Sequence, residues 1–138
     1  MEKKYLGIDW GKAKVGLAIA HGETRLALSL KTLLNDEHLL ETLQDLIREE
    51  GVSTAVIGLP SHMSHERADS PVEKLGQKLV DLGILVAYQD EMFTTKRAGQ
   101  NLIEAGKKAV GKQDDAEAAR IILQEWLDHE KALGQASF

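Results

Sequence analysis

Short apolar segments alternate with amphipathic helical patterns in the second half of the chain, and this alternation constrains the fold more than any other feature. Residues 54–58 and 84–89 have the composition of buried strands, and a helical pattern precedes each of them. Strands that are separated by a helix usually run parallel, because the helix returns the chain to the same end of the sheet. The pattern therefore predicts two parallel strands with helical crossovers.

The first part of the chain has a different pattern, with three strands joined by short turns. Residues 4–9 and 15–21 are separated by a turn at 11–14, and residues 25–31 follow a turn at Gly22. This spacing predicts an antiparallel meander. Right-handed crossovers then place the fourth and fifth strands parallel to the first. The expected fold class is α/β, with a five-stranded mixed sheet of order 3-2-1-4-5 flanked by helices, which is the ribonuclease H-like arrangement.

Helix boundaries are indicated by capping residues. Asn35 or Asp36 is expected to cap a first helix that ends before Gly51. Residues 70–73 form a capping box with proline at the first helical position, so a second helix should run to about residue 82. Two further helices are expected at residues 94–105 and 115–131.

Composition limits the class of protein. The 138 residues fit one domain, residues 1–138, and the absence of cysteine means that any metal must be held by oxygen or imidazole. No segment approaches the roughly 18 apolar residues that a membrane span requires. We therefore expect a cytoplasmic protein with no membrane partner.

Acidic residues stand where predicted strands end. Asp9 closes the first strand, Glu91 follows the fifth, and both should lie at the carboxyl edge of the sheet, where parallel strands open into one crevice. A half-buried carboxylate is costly unless it is paired, hydrogen-bonded or bound to a cation. The pattern indicates a metal-binding acidic cluster.

The last helix supplies the third acid. Asp115 shares the apolar face of the helix with Ala119 and Ile122, whereas Asp114 lies on another face and is better interpreted as the helix cap. The alanines at 118 and 119 are short enough for the helix to approach the sheet closely. Asp115 is therefore the predicted inward acid.

An oxygen-rich cluster of this kind suits Mg²⁺ or Mn²⁺, the hard cations that support phosphodiester hydrolysis. The net charge of −5 argues against non-specific coating of nucleic acid. Basic residues are nevertheless expected around the crevice, where they would bind the phosphate backbone. These residues are Lys12, Lys14, Lys96, Arg97, Lys107 and Lys108.

Four sequence blocks, taken together, resemble the YqgF (RuvX) family over nearly the whole chain. They are residues 6–11 (LGIDWG) with 15–18 (VGLA), then 56–60 (VIGLP), 90–95 (DEMFTT) and 112–123 (KQDDAEAARIIL). The resemblance implies a ribonuclease H-like fold related to the RuvC Holliday junction resolvases. It also implies a nuclease that matures the 5′ end of pre-16S rRNA during ribosome biogenesis, with Asp9, Glu91 and Asp115 as the metal-binding acids.

Three alternatives remain open at this level. One is a Holliday junction resolvase acting on branched DNA. Another is a non-catalytic nucleic-acid-binding module, because the family usually has arginine where Lys14 and Met92 stand. The third is an actin-like nucleotide-binding protein, since the first strand and hairpin also resemble the phosphate loop of those proteins. The sequence does not separate structured RNA from branched DNA, or a monomer from a homodimer.

Overall fold

The computed structural model describes residues 3–59, 70–90 and 114–136. Within these ranges no helix is long and apolar enough to cross a membrane. The predicted helix at 94–105 lies outside the described residues. The described elements, in chain order, are β1 (Lys4–Trp10), β2 (Lys14–His21), β3 (Ala27–Leu34), α1 (Leu39–Glu50), β4 (Thr54–Leu59), α2 (Pro71–Asp81), β5 (Leu85–Asp90) and α3 (Asp114–Ala136).

The five strands form one mixed sheet of order β3-β2-β1-β4-β5, which confirms the predicted topology. β2 is antiparallel to both β1 and β3, whereas β4 is parallel to β1 and β5. The carboxyl ends of β1, β4 and β5 therefore meet at one edge of the sheet, as the sequence pattern required.

The start of α1 differs from the prediction that Asn35 or Asp36 caps this helix. His38 occupies the N-cap position and its side chain makes no capping hydrogen bond. Asp36 accepts a hydrogen bond from the backbone N–H of His38 at 2.9 Å, which forms a turn before the helix. The Asn35 side chain instead donates to the backbone carbonyl of Gly11 at 2.5 Å. The predicted cap was wrong because the Asn35 amide bonds to a distant turn.

The other two predicted helix boundaries are confirmed. Gly51 follows α1 in the left-handed conformation, with φ of 73°, which glycine adopts without strain. Ser70 caps α2 by accepting a hydrogen bond from the backbone N–H of Glu73 at 3.2 Å, and Pro71 is the first helical residue. α3 begins at Asp114, one residue before its predicted start.

The two faces of the sheet carry different cores. α1 and α2 cover the face on which large aliphatic side chains such as Leu6, Ile8 and Ile57 are buried. α3 covers the opposite face, where smaller residues such as Ala18 and Val56 accompany its buried Ile122. α3 therefore lies closer to the strand backbones than a helix packed on leucines and isoleucines could lie.

Candidate functional site

Asp9 is the penultimate residue of β1 and is half-buried. Side chains alternate along a strand, so Asp9 shares its face with Tyr5 and Gly7. Tyr5 belongs to the core beneath α3, and Gly7 contacts the backbone of that helix. The Asp9 carboxylate is therefore on the α3 side of the sheet, at the carboxyl edge.

Gly16 is the partner of Asp9 in the antiparallel β1–β2 ladder. A Cβ atom added to Gly16 would lie 1.8 Å from the backbone carbonyl oxygen of Asp115 and 2.7 Å from the backbone nitrogen of Ala116. The first turn of α3 thus rests directly on β2, beside the position of Asp9. This contact places the backbone of Asp115 against the strand pair that carries Asp9.

A second glycine allows the same close approach one turn further along α3. A Cβ atom added to Gly7 would lie 2.8 Å from the carbonyl oxygen of Ala119 and 2.8 Å from Cβ of Leu123. The predicted close approach of the helix at Ala119 is confirmed, and Ala119 is fully buried. The roles of Gly7 and Gly16 were not predicted from the sequence. Their position inside strands was the available signal, because a strand glycine often marks close approach of another backbone.

The third predicted acid, Glu91, lies outside the described residues. It follows Asp90, the last residue of β5, which pairs with Leu59 at the carboxyl edge of the sheet. Among the residues that are described, no group of three or more histidine, aspartate or glutamate side chains is arranged to hold a metal. Of the three predicted ligands, the structure thus describes Asp9 and Asp115. The basic residues Lys96, Arg97, Lys107 and Lys108 also lie outside the described ranges.

Lys12 lies on the turn that follows β1 and Lys14 is the first residue of β2; both are exposed. Asn35 anchors this turn, because its side chain donates to the Gly11 carbonyl and its backbone N–H donates to the Ala13 carbonyl at 2.9 Å. The turn is compact, since a Cβ atom at Gly11 would lie 2.6 Å from the carbonyl oxygen of Lys14. Both ammonium groups are thus presented to solvent from a fixed backbone.

The first turns of α3 are stabilised by an ion pair. Arg120 donates to both carboxylate oxygens of Glu117, at 2.9 Å from Nε and 2.5 Å from Nη2. These hydrogen bonds hold the pKa of Glu117 below its ordinary value, against the opposing effect of partial burial. Ser29 of β3 donates to the Ala116 carbonyl at 3.3 Å and so connects the sheet to the same turn.

Gln124 fixes the middle of α3 to the turn between β2 and β3. Its Oε1 atom accepts a hydrogen bond from the backbone N–H of Ala27 at 2.8 Å, and its Nε2 atom donates to the carbonyl of Arg25 at 3.1 Å. The Arg25 guanidinium in turn donates to the carbonyl of Leu127 at 3.2 Å. The helix that carries Asp115 is therefore attached to the sheet by polar contacts as well as by its core.

The sequence model of the RuvX family, described as Holliday junction resolvase, matches residues 3–129. A protein of Burkholderia ambifaria (strain MC40-6), provisionally named pre-16S rRNA nuclease, is 34% identical over 89% of this chain and 87% of its own length. A protein of Anaplasma marginale (strain St. Maries) with the same provisional name is 33% identical over 96% of this chain and 89% of its own length.

Two solved structures share the architecture. Thermus thermophilus RuvC in complex with a Holliday junction substrate has a TM-score of 0.59 at 14% identity, covering 93% of this chain and 96% of RuvC. The fowlpox virus resolvase in complex with Holliday junction DNA has a TM-score of 0.59 at 9% identity, covering 91% of this chain and 97% of the resolvase. These similarities establish a shared fold and confirm the predicted arrangement of the sheet. Together with the match to the family model and the two relatives, they lead to the conclusion that this chain belongs to the RuvX family.

Proposed function

We propose that the protein is a metal-dependent nuclease that hydrolyses phosphodiester bonds during maturation of the 5′ end of pre-16S rRNA. The observation that carries the proposal is the contact between the backbone of Asp115 and Gly16, the ladder partner of Asp9. It sets two carboxylate-bearing positions side by side at the carboxyl edge of the sheet. The provisional name of the relatives supports the choice of RNA substrate.

Asp9 and Asp115, with Glu91 as the third acid, are the proposed ligands of Mg²⁺ or Mn²⁺. Carboxylate oxygens are the donors that these hard cations prefer, so the two described residues fit the metal. When bound, such an ion acts as a Lewis acid towards a phosphate group and its attacking water. The contribution of the chain itself is to hold the acids at a fixed separation.

The proposed phosphate contacts are Lys12 and Lys14, together with Lys96, Arg97, Lys107 and Lys108. Both Lys12, on the turn that Asn35 anchors, and Lys14, at the start of β2, are exposed and follow Asp9 within a few residues. Contacts of this kind position a nucleic acid without reading its sequence. In this role the lysines would align the phosphate backbone of the nucleic acid with the acidic residues.

A second candidate is cleavage of branched DNA. It is favoured by the description of the family as Holliday junction resolvase. Both substrates present phosphates to the same acidic site, so the distinction depends on the shape of the bound nucleic acid. A direct comparison of the two substrates is therefore part of the test.

The test compares wild type, Asp9→Asn and a control variant, Asp45→Asn. Asp45 is an exposed acid of α1, on the other face of the sheet, where it pairs with Arg48. Each protein is incubated with labelled pre-16S rRNA precursor or a four-way DNA junction, in Mg²⁺, Mn²⁺ or EDTA. We expect metal-dependent cutting by wild type and Asp45→Asn, and none by Asp9→Asn, which should fold normally.

The substrate that is cut distinguishes RNA maturation from junction resolution. Cutting by Asp9→Asn at the wild-type rate would remove Asp9 from the mechanism. Binding of either substrate without cutting in any metal would instead indicate a non-catalytic nucleic-acid-binding protein.

A further inference from the structure

An open groove of about 420 Å³ lies between α2 and β5. It is on the face of the sheet opposite α3, because Tyr88 pairs with Ile57, whose side chain is buried in the core beneath α1 and α2. None of the described residues that line it belongs to the proposed acidic site or to the proposed phosphate contacts. The lining residues are Glu73, Lys74, Gln77, Lys78 and Tyr88.

The ring of Tyr88 is held in place by a glycine inside α2. A Cβ atom added to Gly76 would lie 2.0 Å from the Tyr88 hydroxyl oxygen and 3.0 Å from Cζ. Glycine destabilises a helix interior relative to alanine. Its presence at position 76 is explained by the space that the Tyr88 ring requires. Tyr88 nevertheless remains 41% exposed. An immobilised ring that still reaches solvent loses little entropy when a flat ligand stacks on it.

Two positive charges accompany the ring. Lys74 and Lys78 are one helical turn apart and exposed, and neither forms an ion pair with any part of the chain that the structure describes. The Glu73 carboxylate also lines the groove; it accepts a hydrogen bond from Ser70 at 3.5 Å and adds to the effect of burial in raising the pKa of Tyr88. Within the described residues, the groove therefore offers two ammonium groups that have no ion-pair partner, on a protein whose net charge is −5.

The groove is close to the carboxyl edge at which the acids lie. Tyr88 is two residues before Asp90, which is about 7 Å along the strand. Ile57 pairs with both Tyr88 and Ile8, so Tyr88 is two strand spacings, about 10 Å, from the residue before Asp9. The Asp9 carboxylate and the groove lie on opposite faces of the sheet, so a nucleic-acid strand would reach the groove by passing over this edge from one face to the other.

We propose that this groove is a subsite for single-stranded nucleic acid, in which Tyr88 stacks on a base while Lys74 and Lys78 bind the adjacent phosphates. An aromatic platform beside lysines is the combination by which proteins bind single strands without reading their sequence. The choice of nucleic acid as ligand rests on the proposed function. The subsite would hold the strand beyond the point of cleavage.

The test measures binding rather than cleavage. Fluorescence anisotropy of a 5′-fluorescein octauridylate is recorded in EDTA, with wild type, Tyr88→Leu, Tyr88→Phe and the double variant Lys74→Gln/Lys78→Gln. Loss of one stacked base should weaken binding by roughly fivefold to 150-fold in Tyr88→Leu, whereas Tyr88→Phe keeps the stacking and should bind as wild type does. Loss of two phosphate contacts should reduce the slope of log Kd against log salt concentration by about 1.4.

Two control variants come from outside the groove. Leu85 is on the same strand, 71% exposed and directed to the opposite face, so Leu85→Ala should bind the octauridylate normally. Lys31 is an exposed lysine of β3, at the far side of the sheet, and Lys31→Gln should keep the wild-type salt slope. Circular dichroism confirms that each variant is folded before its affinity is compared.

Several results would overturn the subsite. They are absence of octauridylate binding by wild type, equal affinity of wild type and Tyr88→Leu, or an equal loss in Leu85→Ala. A change in self-association without a change in RNA affinity would also overturn it, because the groove would then be a protein interface. Failure of the proposed nuclease function is a separate result, since it appears as lack of cutting while Tyr88-dependent binding persists.

Discussion

Gly16→Ala is the substitution that most directly perturbs the packing of α3 against the sheet. The added Cβ atom would lie 1.8 Å from the Asp115 carbonyl oxygen, where ordinary contact begins at 3.4 Å. The atoms that it meets belong to the helix backbone, so no side chain can rotate out of the way. The first turn of α3 must therefore move by about 1.6 Å, the difference between these two distances.

This displacement has two separable effects. Overpacking of this kind typically costs about 1–3 kcal/mol of unfolding free energy. It also moves Asp115 away from Asp9, and a misplacement of about 1 Å at a catalytic site can cost about 100-fold in rate. We expect the folded Gly16→Ala protein to lose about 100-fold or more in kcat. Gly7→Ala has a milder contact, 2.8 Å from the Ala119 carbonyl oxygen, and should give an intermediate loss.

The assay combines urea unfolding with steady-state cleavage of the substrate identified in the Asp9→Asn experiment. Gly83→Ala is the matched control, because Gly83 has φ of 93° and no atom within 4 Å of an added Cβ. It should lose about 1–2 kcal/mol through backbone strain alone and keep its kcat. If folded Gly16→Ala turns over as fast as wild type, the proposed dependence of the acid pair on this contact is wrong.

Three further variants test individual contacts. Asn35→Ala removes the anchor of the lysine-bearing turn and should raise KM in steady-state kinetics with kcat little changed; an unchanged KM would contradict the anchoring role. Glu117→Gln removes the ion pair with Arg120, which lowers the pKa of the Glu117 carboxyl group from 4.5 in the folded protein. The stabilisation by this ion pair is therefore present above pH 4.5 and is lost as the pH falls through the folded-state pKa. Thermal melts of wild type and Glu117→Gln should therefore differ at neutral pH and converge in acid; a constant difference would refute this. Gln124→Ala leaves the Ala27 N–H and the Arg25 carbonyl without their partner. The free energy of unfolding from urea titration should fall by about 1–3 kcal/mol, and an unchanged value would show that water replaces the amide.

Elements whose signals are local were predictable from the sequence. The capping box at Ser70 and the glycine at Gly51 depend on residues a few positions apart, and both are found as predicted. The strand order followed from connection rules, because a helical crossover leaves few arrangements for β4 and β5. The position of Asp9 at the carboxyl edge then followed from the strand order.

Contacts between distant residues were not predictable in the same way. Asparagine is a common helix cap, but the Asn35 amide donates a hydrogen bond to the carbonyl of Gly11, 24 residues earlier in the chain. The glycine at position 16 inside an apolar strand indicates that another backbone comes close, but only the path of α3 shows which backbone it is. Such roles depend on which backbone lies above the residue, and no local pattern contains that information.

The contrast between the two sheet faces suggests how the acids can be held accurately in a small protein. Beneath α1 and α2, large side chains such as Leu6 and Ile8 fill the interface, and a change in one can be absorbed by its neighbours. Beneath α3, Gly16 brings the strand backbone against the helix backbone at Asp115, and Gly7 brings it against the Ala119 carbonyl and the Leu123 Cβ atom. The distance between the strand that carries Asp9 and the helix that carries Asp115 is consequently set by contact of two rigid elements. In this arrangement stability depends mainly on the first face, whereas the geometry of the proposed metal site depends on the second.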